Sequence, residues 1–265
     1  MRAAKLSRST FYYHLNAQGV ADKYAELKAR IGVVYAHHKG RYGYRRVTAA
    51  LRQTGELVNH KRVQRLMQTL GLKSLVRPKK YRSYRGEVGR VAPNLLKREF
   101  HAAKPNIKWV TDVTEFKVNG QKLYLSPVMD LYNGEIVAYE TNTRPMFGLV
   151  AGMLKKAFDR LLPTDKPMLH SDQGWHYQQP NYRRMLAERG VTQSMSRKAN
   201  CLDNAAIESF FGTLKAESFH LNRYDDIEQL KAEIREYIHY YNHERIKLKL
   251  KGLSPVQYRA QALSA

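Results

Sequence analysis

Apolar residues recur along this chain with two different periods, and the change from one to the other divides it. From Tyr24 to His38 the positions Leu27, Ile31, Val34 and Tyr35 repeat at helical spacing, and Gly40 is a natural stop. A second helix is predicted from Tyr44 to Gln53, ending near Gly55, and a third begins after Asn59, a good N-cap, and runs to Leu70 before Gly71. In the third, Val63, Leu66, Met67 and Leu70 face inward and leave Lys61, Arg62, Gln64, Arg65 and Gln68 outside. Two helices joined by a short turn, the second cationic and rich in amides, fit a helix-turn-helix DNA reader; such pairs also occur as plain packing units. Ahead of them, residues 5–15 read as one short helix capped by Ser7 or Ser9.

Beyond residue 105 the period falls to two. Lys108 to Phe116, Lys122 to Leu131 and Glu135 to Thr141 read as strands separated by Asn119-Gly120 and Asn133-Gly134, both hairpin-turn dipeptides, which predicts an antiparallel meander. A helix from about Met146 to Leu162, a strand Pro167 to Ser171, a helix Pro180 to Glu188, a strand Val191 to Met195 and a helix from Asp203 follow. This order predicts an α/β fold, a mixed five-stranded sheet flanked by helices. Asp225 to His243 places Ile227, Leu230, Ile234, Tyr237, Ile238 and Tyr241 on one face, so a docked C-terminal helix is expected, then a turn at Gly252-Leu-Ser-Pro255 and a short tail.

Charge sharpens this division. Residues 1–100 hold 23 Lys and Arg against 5 Asp and Glu, net +18, whereas the remainder holds 23 against 18, net +5. Such an excess attracts a polyanion, because Lys and Arg displace counterions from phosphates; nucleic acid is the expected partner. A basic soluble surface or a membrane-surface binder is the alternative on charge alone. Residues 77–92 lack apolar periodicity and carry six Lys or Arg among Pro and Gly, as expected of a linker that tracks a phosphate backbone or of a solvated spacer. The domains are therefore drawn as 1–22, a basic N-terminal helix or tail; 23–76, a helix-turn-helix-like DNA-binding region; 77–104, a basic linker; 105–220, a catalytic core; and 221–265, a helical extension. Cys201 is the single cysteine, which excludes an intramolecular disulfide and any zinc site built on two or more cysteines. No apolar run long enough for a membrane span or a secretory signal is present, so a soluble protein of the cytoplasm is expected.

Three acidic residues carry the candidate chemistry. Asp112 lies within an apolar strand run, where an ionised carboxylate costs several kcal/mol unless a cation or strong hydrogen bonds compensate. Asp172 ends the short strand before Gln173-Gly174, where α/β folds place their ligands. On a helical wheel with Asn204 at zero, Glu208 falls at about 40° and Lys215 at about 20°, while Ile207, Phe210, Phe211 and Leu214 span about 240° to 340°. One polar stripe thus borders one apolar face, suited to ligating a metal and touching a phosphate, or to an ordinary solvated stripe. His170, two residues before Asp172 and on the same strand face, either supports that carboxylate or is a core histidine. Asp130 and Glu115 read as structural.

Trp109-Val-Thr-Asp112-Val-Thr, His170-Ser-Asp172-Gln-Gly and Ser196-Arg-Lys-Ala-Asn-Cys-Leu-Asp-Asn-Ala-Ala-Ile-Glu208-Ser-Phe-Phe-Gly-Thr-Leu-Lys215 resemble the DDE transposases and retroviral-type integrases. The closer match is to the second-reading-frame product, OrfB, of the IS-three group of insertion sequences. Tyr42-Gly-Tyr-Arg45-Arg46-Val and the stretch from Tyr240 to Pro255 resemble the flanking parts of that group, so the resemblance covers nearly the whole chain. It implies an RNase H-like core, two Mg²⁺ or Mn²⁺ ions per active site, and DNA cleavage and strand transfer during transposition. Asp112, Asp172 and Glu208 match the catalytic and metal-binding triad, with Asp112 expected to bridge the ions, Asp172 to ligate one and Glu208 the other. Lys215 matches the basic residue two turns after the glutamate. With it, Asn204, Lys61, Arg62, Gln64, Arg65, Gln68, Arg45 and Arg46 are the expected DNA contacts. Ala199 departs from the glycine common in relatives. The resemblance further implies terminal-repeat and target DNA, a first-reading-frame product (OrfA) as partner or fusion, a homo-oligomer on DNA, no membrane partner and association with the bacterial nucleoid.

Three activities fit these features: a metal-dependent strand transferase, a DNA-binding regulator without chemistry, and a nuclease that cuts without joining. All three triad carboxylates are present, which disfavours the second.

Overall fold

The computed structural model describes residues 7–12, 22–76, 92–97, 99–197 and 204–263. Most of the expected linker, together with Ala199, Cys201 and Asp203, lies outside the described residues. The chain divides into two compact units, Met1–Ser74 and Leu75–Ala265.

In the first unit, residues 8–12 are helical and Ser7 is their cap, its Oγ accepting from the Thr10 N–H at 3.2 Å. Helices α1 (Ala25–His37), α2 (Tyr44–Gln53) and α3 (His60–Thr69) pack pairwise around Ile31, Val47, Leu51, Val63, Leu66 and Met67. Asn59 caps α3 as its position predicts, its side chain accepting from the Lys61 N–H at 2.8 Å. Leu70, expected inside, is 39% exposed, because α3 stops at Thr69 and Leu70 is its C-cap. Tyr35 is spent outside the core, its hydroxyl donating to the Lys73 carbonyl at 2.6 Å.

The second unit holds one mixed sheet of six strands: β1 (Lys108–Thr111), β2 (Thr114–Val118), β3 (Gln121–Asp130), β4 (Ile136–Asn142), β5 (Met168–Ser171) and β6 (Thr192–Met195). The sixth strand appears because the first expected strand is split. Thr111 pairs with Val128 and Thr114 with Leu125, so the register continues unbroken, and Asp112 and Val113 lie opposite Pro127 and Ser126 without ladder pairing. Pro127 has no N–H to offer, and the Val113 N–H is turned to Asp112 Oδ1 at 2.7 Å. Counted as one interrupted strand, β1 and β2 form the central member of an RNase H-like sheet. β3 and β4 lie antiparallel on one side, and β5 and β6 run parallel on the other.

Asn119 and Gly120 both take positive φ, 46° and 79°, and close a two-residue hairpin as expected. Asn133-Gly134 instead sits in a wider turn between β3 and β4, held by the Gly134 N–H on the Asp130 carbonyl at 2.7 Å.

Side-chain alternation sends residues to two cores. Trp109, Val128, Leu169 and Met195 face α4 (Phe147–Phe158), α5 (Trp175–Gln178) and α6 (Pro180–Glu188). Val110, Phe116, Val118, Leu123 and Leu125 face α7 (Ala205–Leu214) and α8 (Ile227–His243). α7 runs on into a π-helical turn, Lys215–Phe219, that the helical wheel does not foresee. The expected C-terminal tail is a helix, α9 (Pro255–Leu263), pinned by Arg259 to Glu135 at 2.6 Å and to Asp130 at 3.3 Å. Those two buried acids supply an anchor that periodicity along the tail does not reveal. No helix among the described residues is long and apolar enough to cross a membrane.

Candidate active site

The parallel pairing of β1 with β5 sets the geometry. Val110 is level with His170, so two residues further on Asp112 is level with Asp172. Neighbouring strands lie about 4.8 Å apart, which brings the two carboxylates side by side at the strand ends. α7 packs over the sheet face of Val110 and Phe116. Glu208, in the first turn of α7, is in electrostatic reach of Asp112.

The electrostatics record this meeting. Burial, first, and the charge of Asp172, second, push the Asp112 carboxyl well above the ordinary carboxylate range; Glu208 adds to the rise. The Val113 N–H and Lys215 oppose it without cancelling it. Asp172 is also raised, chiefly by burial, against a 2.8 Å hydrogen bond from the Gly174 N–H and the charge of His176. Among the described residues no three His, Cys, Asp or Glu side chains stand at a common metal-holding distance.

Gly174 is required by this contact. A Cβ there would lie 2.9 Å from Asp172 Oδ1 and 3.4 Å from the Tyr177 ring. The buried Asn204 Oδ1 has no hydrogen-bond partner among the described residues. Burial and then the charges of Asp112 and Asp172 drive the Tyr177 hydroxyl well up, which keeps it neutral.

The other residues singled out in the sequence have definite surroundings. Asn204 does not face outward: it is buried, and its Nδ2 donates to the Thr111 carbonyl at 3.1 Å, fastening the start of α7 to β1. Lys215 is half-buried, its Nζ donating to Thr114 Oγ1 at 2.7 Å and lying 5.1 Å from the Phe116 ring centroid; burial lowers its pKa. His170 is fully buried and its Nδ1 is 2.8 Å from Ser194 Oγ, a partner inside the sheet. Asp130 and Glu115 are held in structural contacts, Asp130 by backbone N–H groups and Arg259, Glu115 by Lys122.

In the first unit Lys61, Arg62, Gln64, Arg65 and Gln68 line the exposed side of α3, and Arg45 is exposed on α2. Arg46 is half-buried, with its guanidinium 5.6 Å from the Tyr42 ring. Arg62 and Arg65 lie 5.5 and 5.8 Å from the ring of Tyr24.

Two features escaped the sequence reading. Trp175, three residues after Asp172, is 50% exposed, its ring tilted against that of His176 with centroids 4.1 Å apart. Glu217 is 2% exposed and bound by Arg245. The wheel puts Glu217 at about 220°, only at the edge of the apolar face.

Family models described as an integrase core domain match residues 102–201 and 208–263, and one described as an HTH-like domain matches 22–80. The InsK product of insertion sequence element IS150 from Escherichia coli (strain K12) is 58% identical, over 98% of this chain and 92% of its own. The transposase of insertion sequence element IS904 from Lactococcus lactis is 35% identical over 88% of this chain and 92% of its own. The transposase InsF of insertion sequence IS3A from E. coli is 33% identical over 87% and 81%. Among solved structures, the HTLV-2 integrase catalytic core is 17% identical with a TM-score of 0.48, covering 59% of this chain and 98% of that one. With an HTH-like region ahead of an integrase core and relatives of this identity along almost its full length, the chain belongs to the DDE insertion-sequence transposases of the IS3 group, in the integrase superfamily.

Proposed function

We propose that this transposase cleaves DNA at the ends of an insertion sequence and joins the freed ends to target DNA, using divalent metal held by Asp112, Asp172 and Glu208. The observation that carries the reading is that Asp112 and Asp172 follow the ends of two paired parallel strands, both with raised pKa, with Asp172 and Glu208 in electrostatic reach of Asp112. The donor set fits a hard cation. Its ligands are carboxylate oxygens, and the Val113 N–H and Lys215 lower the Asp112 pKa by less than burial and the neighbouring acids raise it. Mg²⁺ or Mn²⁺ bound there supplies charge stabilisation at the attacking and leaving oxygens of a phosphodiester.

The chain's own groups do the rest. The Gly174 N–H orients Asp172 and the Val113 N–H orients Asp112. Lys215 brings a cation to the Asp112 side of the site, placed to hold a DNA phosphate. Trp175 offers an exposed aromatic face beside the carboxylates on which an unpaired base stacks. The exposed cations and amides of α3 read terminal-repeat DNA, with Arg45 and Arg46 contributing from α2. A first-reading-frame product joins as partner or fusion, and a homo-oligomer brings two ends together.

Asp112→Asn, Asp172→Asn and Glu208→Gln should each abolish Mg²⁺-dependent cleavage of labelled element ends while leaving DNA affinity near wild type. Full cleavage by any one of them would remove that residue from the triad. Joined products separate this reading from a nuclease that only cuts.

A further inference from the structure

Glu217 is a buried carboxylate, and the fold invests three groups in keeping it there. Arg245 Nε and Nη2 donate to its two oxygens at 2.7 and 2.6 Å, and the Tyr237 hydroxyl donates to Oε2 at 2.9 Å. Arg245 follows the end of α8 and reaches Glu217 from 28 residues away, its guanidinium 5.7 Å from the Tyr241 ring.

Glu217 occupies the middle of the π turn. The His220 N–H donates to the Lys215 carbonyl at 2.8 Å, a five-residue step that inserts one residue relative to an α-helix. Such an insertion turns the side chains after it by about 100° relative to Lys215, so Phe219 and Lys215 meet at the same Phe116 ring. The extra residue costs good helical geometry and persists only where contacts hold it. Here Phe219 packs edge-on against Phe116 at 5.1 Å, the same ring over which Lys215 lies, and Ser218 Oγ donates to Glu233 at 2.6 Å. Lys215 is the first residue of the turn and the cation that opposes the rise in Asp112.

We propose that Glu217, Arg245 and Tyr237 form a buried clamp that holds the π turn and thereby aims Lys215 at the Asp112 end of the sheet. They are positioning residues, acting only through Lys215. The consequence for DNA joining rests on the function proposed above; the placement of Lys215 does not.

Arg245→Lys keeps the charge and loses the two-pronged contact. Two readouts on the full-length variant test the clamp. The first is the rate at which an amine-acetylating reagent modifies Lys215, measured by peptide mass spectrometry relative to Lys117, whose side chain is 69% exposed. Release of the turn should raise that ratio several-fold. The second is a double-mutant cycle on DNA joining. Arg245→Lys should lower joining about tenfold alone but less than about twofold in a Lys215→Ala background, because the two act as one unit. Tyr237→Phe, which removes only one hydrogen bond, repeats both measurements with a smaller change and serves if Arg245→Lys does not fold. An unchanged Lys215 ratio in a folded variant, or losses that multiply in the cycle, would overturn the clamp. Normal joining by Lys215→Ala would instead overturn the role given to Lys215 in the reaction, with the acetylation ratio still deciding its placement.

Discussion

Replacing Arg245 by Met is the most demanding test of how this fold is held. The pair it breaks is nearly sealed, with side-chain exposures of 7% for Arg245 and 3% for Glu217, and it closes through two short hydrogen bonds. Removing the guanidinium takes two charge-assisted hydrogen bonds from Glu217, in a place where a carboxylate cannot recover its hydration. Breaking one side of a buried pair costs about 3 to 5 kcal/mol. For a unit the size of Leu75–Ala265, each kcal/mol moves the melting temperature by about 2 to 4 °C, so a fall of roughly 6 to 20 °C is expected. Differential scanning calorimetry of the full chain measures it. Lys231→Ala is the control: it breaks the Lys231–Glu228 pair on the surface of α8 and should cost under about 1 kcal/mol. Replacing both members of the buried pair, Glu217→Leu with Arg245→Met, should recover most of the loss, since the uncompensated charge is then gone. An Arg245→Met protein that melts within about 1 kcal/mol of wild type would refute the reasoning, because Glu217 would then have to be hydrated.

The raised Asp112 and Asp172 give a pH signature. A carboxylate raised on folding contributes stability that is present below its unfolded pKa, near 3.8, and is lost as pH rises through the folded values. Divalent ion should therefore raise the melting temperature more at about pH 8 than at about pH 5, and Asp112→Asn should stabilise the ion-free protein at the higher pH; equal Mg²⁺ shifts at both would count against a shared ionised site. Arg62→Ala combined with Arg65→Ala should weaken DNA binding and reduce the slope of log K against log salt by about 2, read by fluorescence anisotropy; an unchanged slope would place α3 away from the phosphates. Gly174→Ala drives a Cβ into Asp172 Oδ1 and should remove most cleavage while costing about 1 to 3 kcal/mol of stability, and normal turnover would show that Asp172 need not hold its position. Trp175→Ala should weaken binding to an element end with unpaired bases by about 1 to 3 kcal/mol and leave fully paired DNA unaffected; equal losses on both would rule out stacking.

Periodicity alone located the three helices of the first unit, the meander, the crossover helices and α8, because each buries one face and the burial is written into residue spacing. Asn59 as a cap and Asn119-Gly120 as a hairpin were legible for the same reason: their chemistry is local. The carboxylates were legible as motifs but not as a site. What brings Asp112 level with Asp172 is the parallel register of two strands separated by 60 positions, and register depends on which partners a strand meets. The split between β1 and β2 depends on Pro127 standing opposite, a contact no reading along the chain contains. Asn204 shows the limit of a helical wheel, which places it beside Glu208 but cannot see that Thr111 claims its amide from another strand. The π turn and the Glu217–Arg245 pair belong to tertiary structure altogether. A buried charge is stable only where a distant partner arrives with matching geometry, and sequence spacing gives no measure of that arrival.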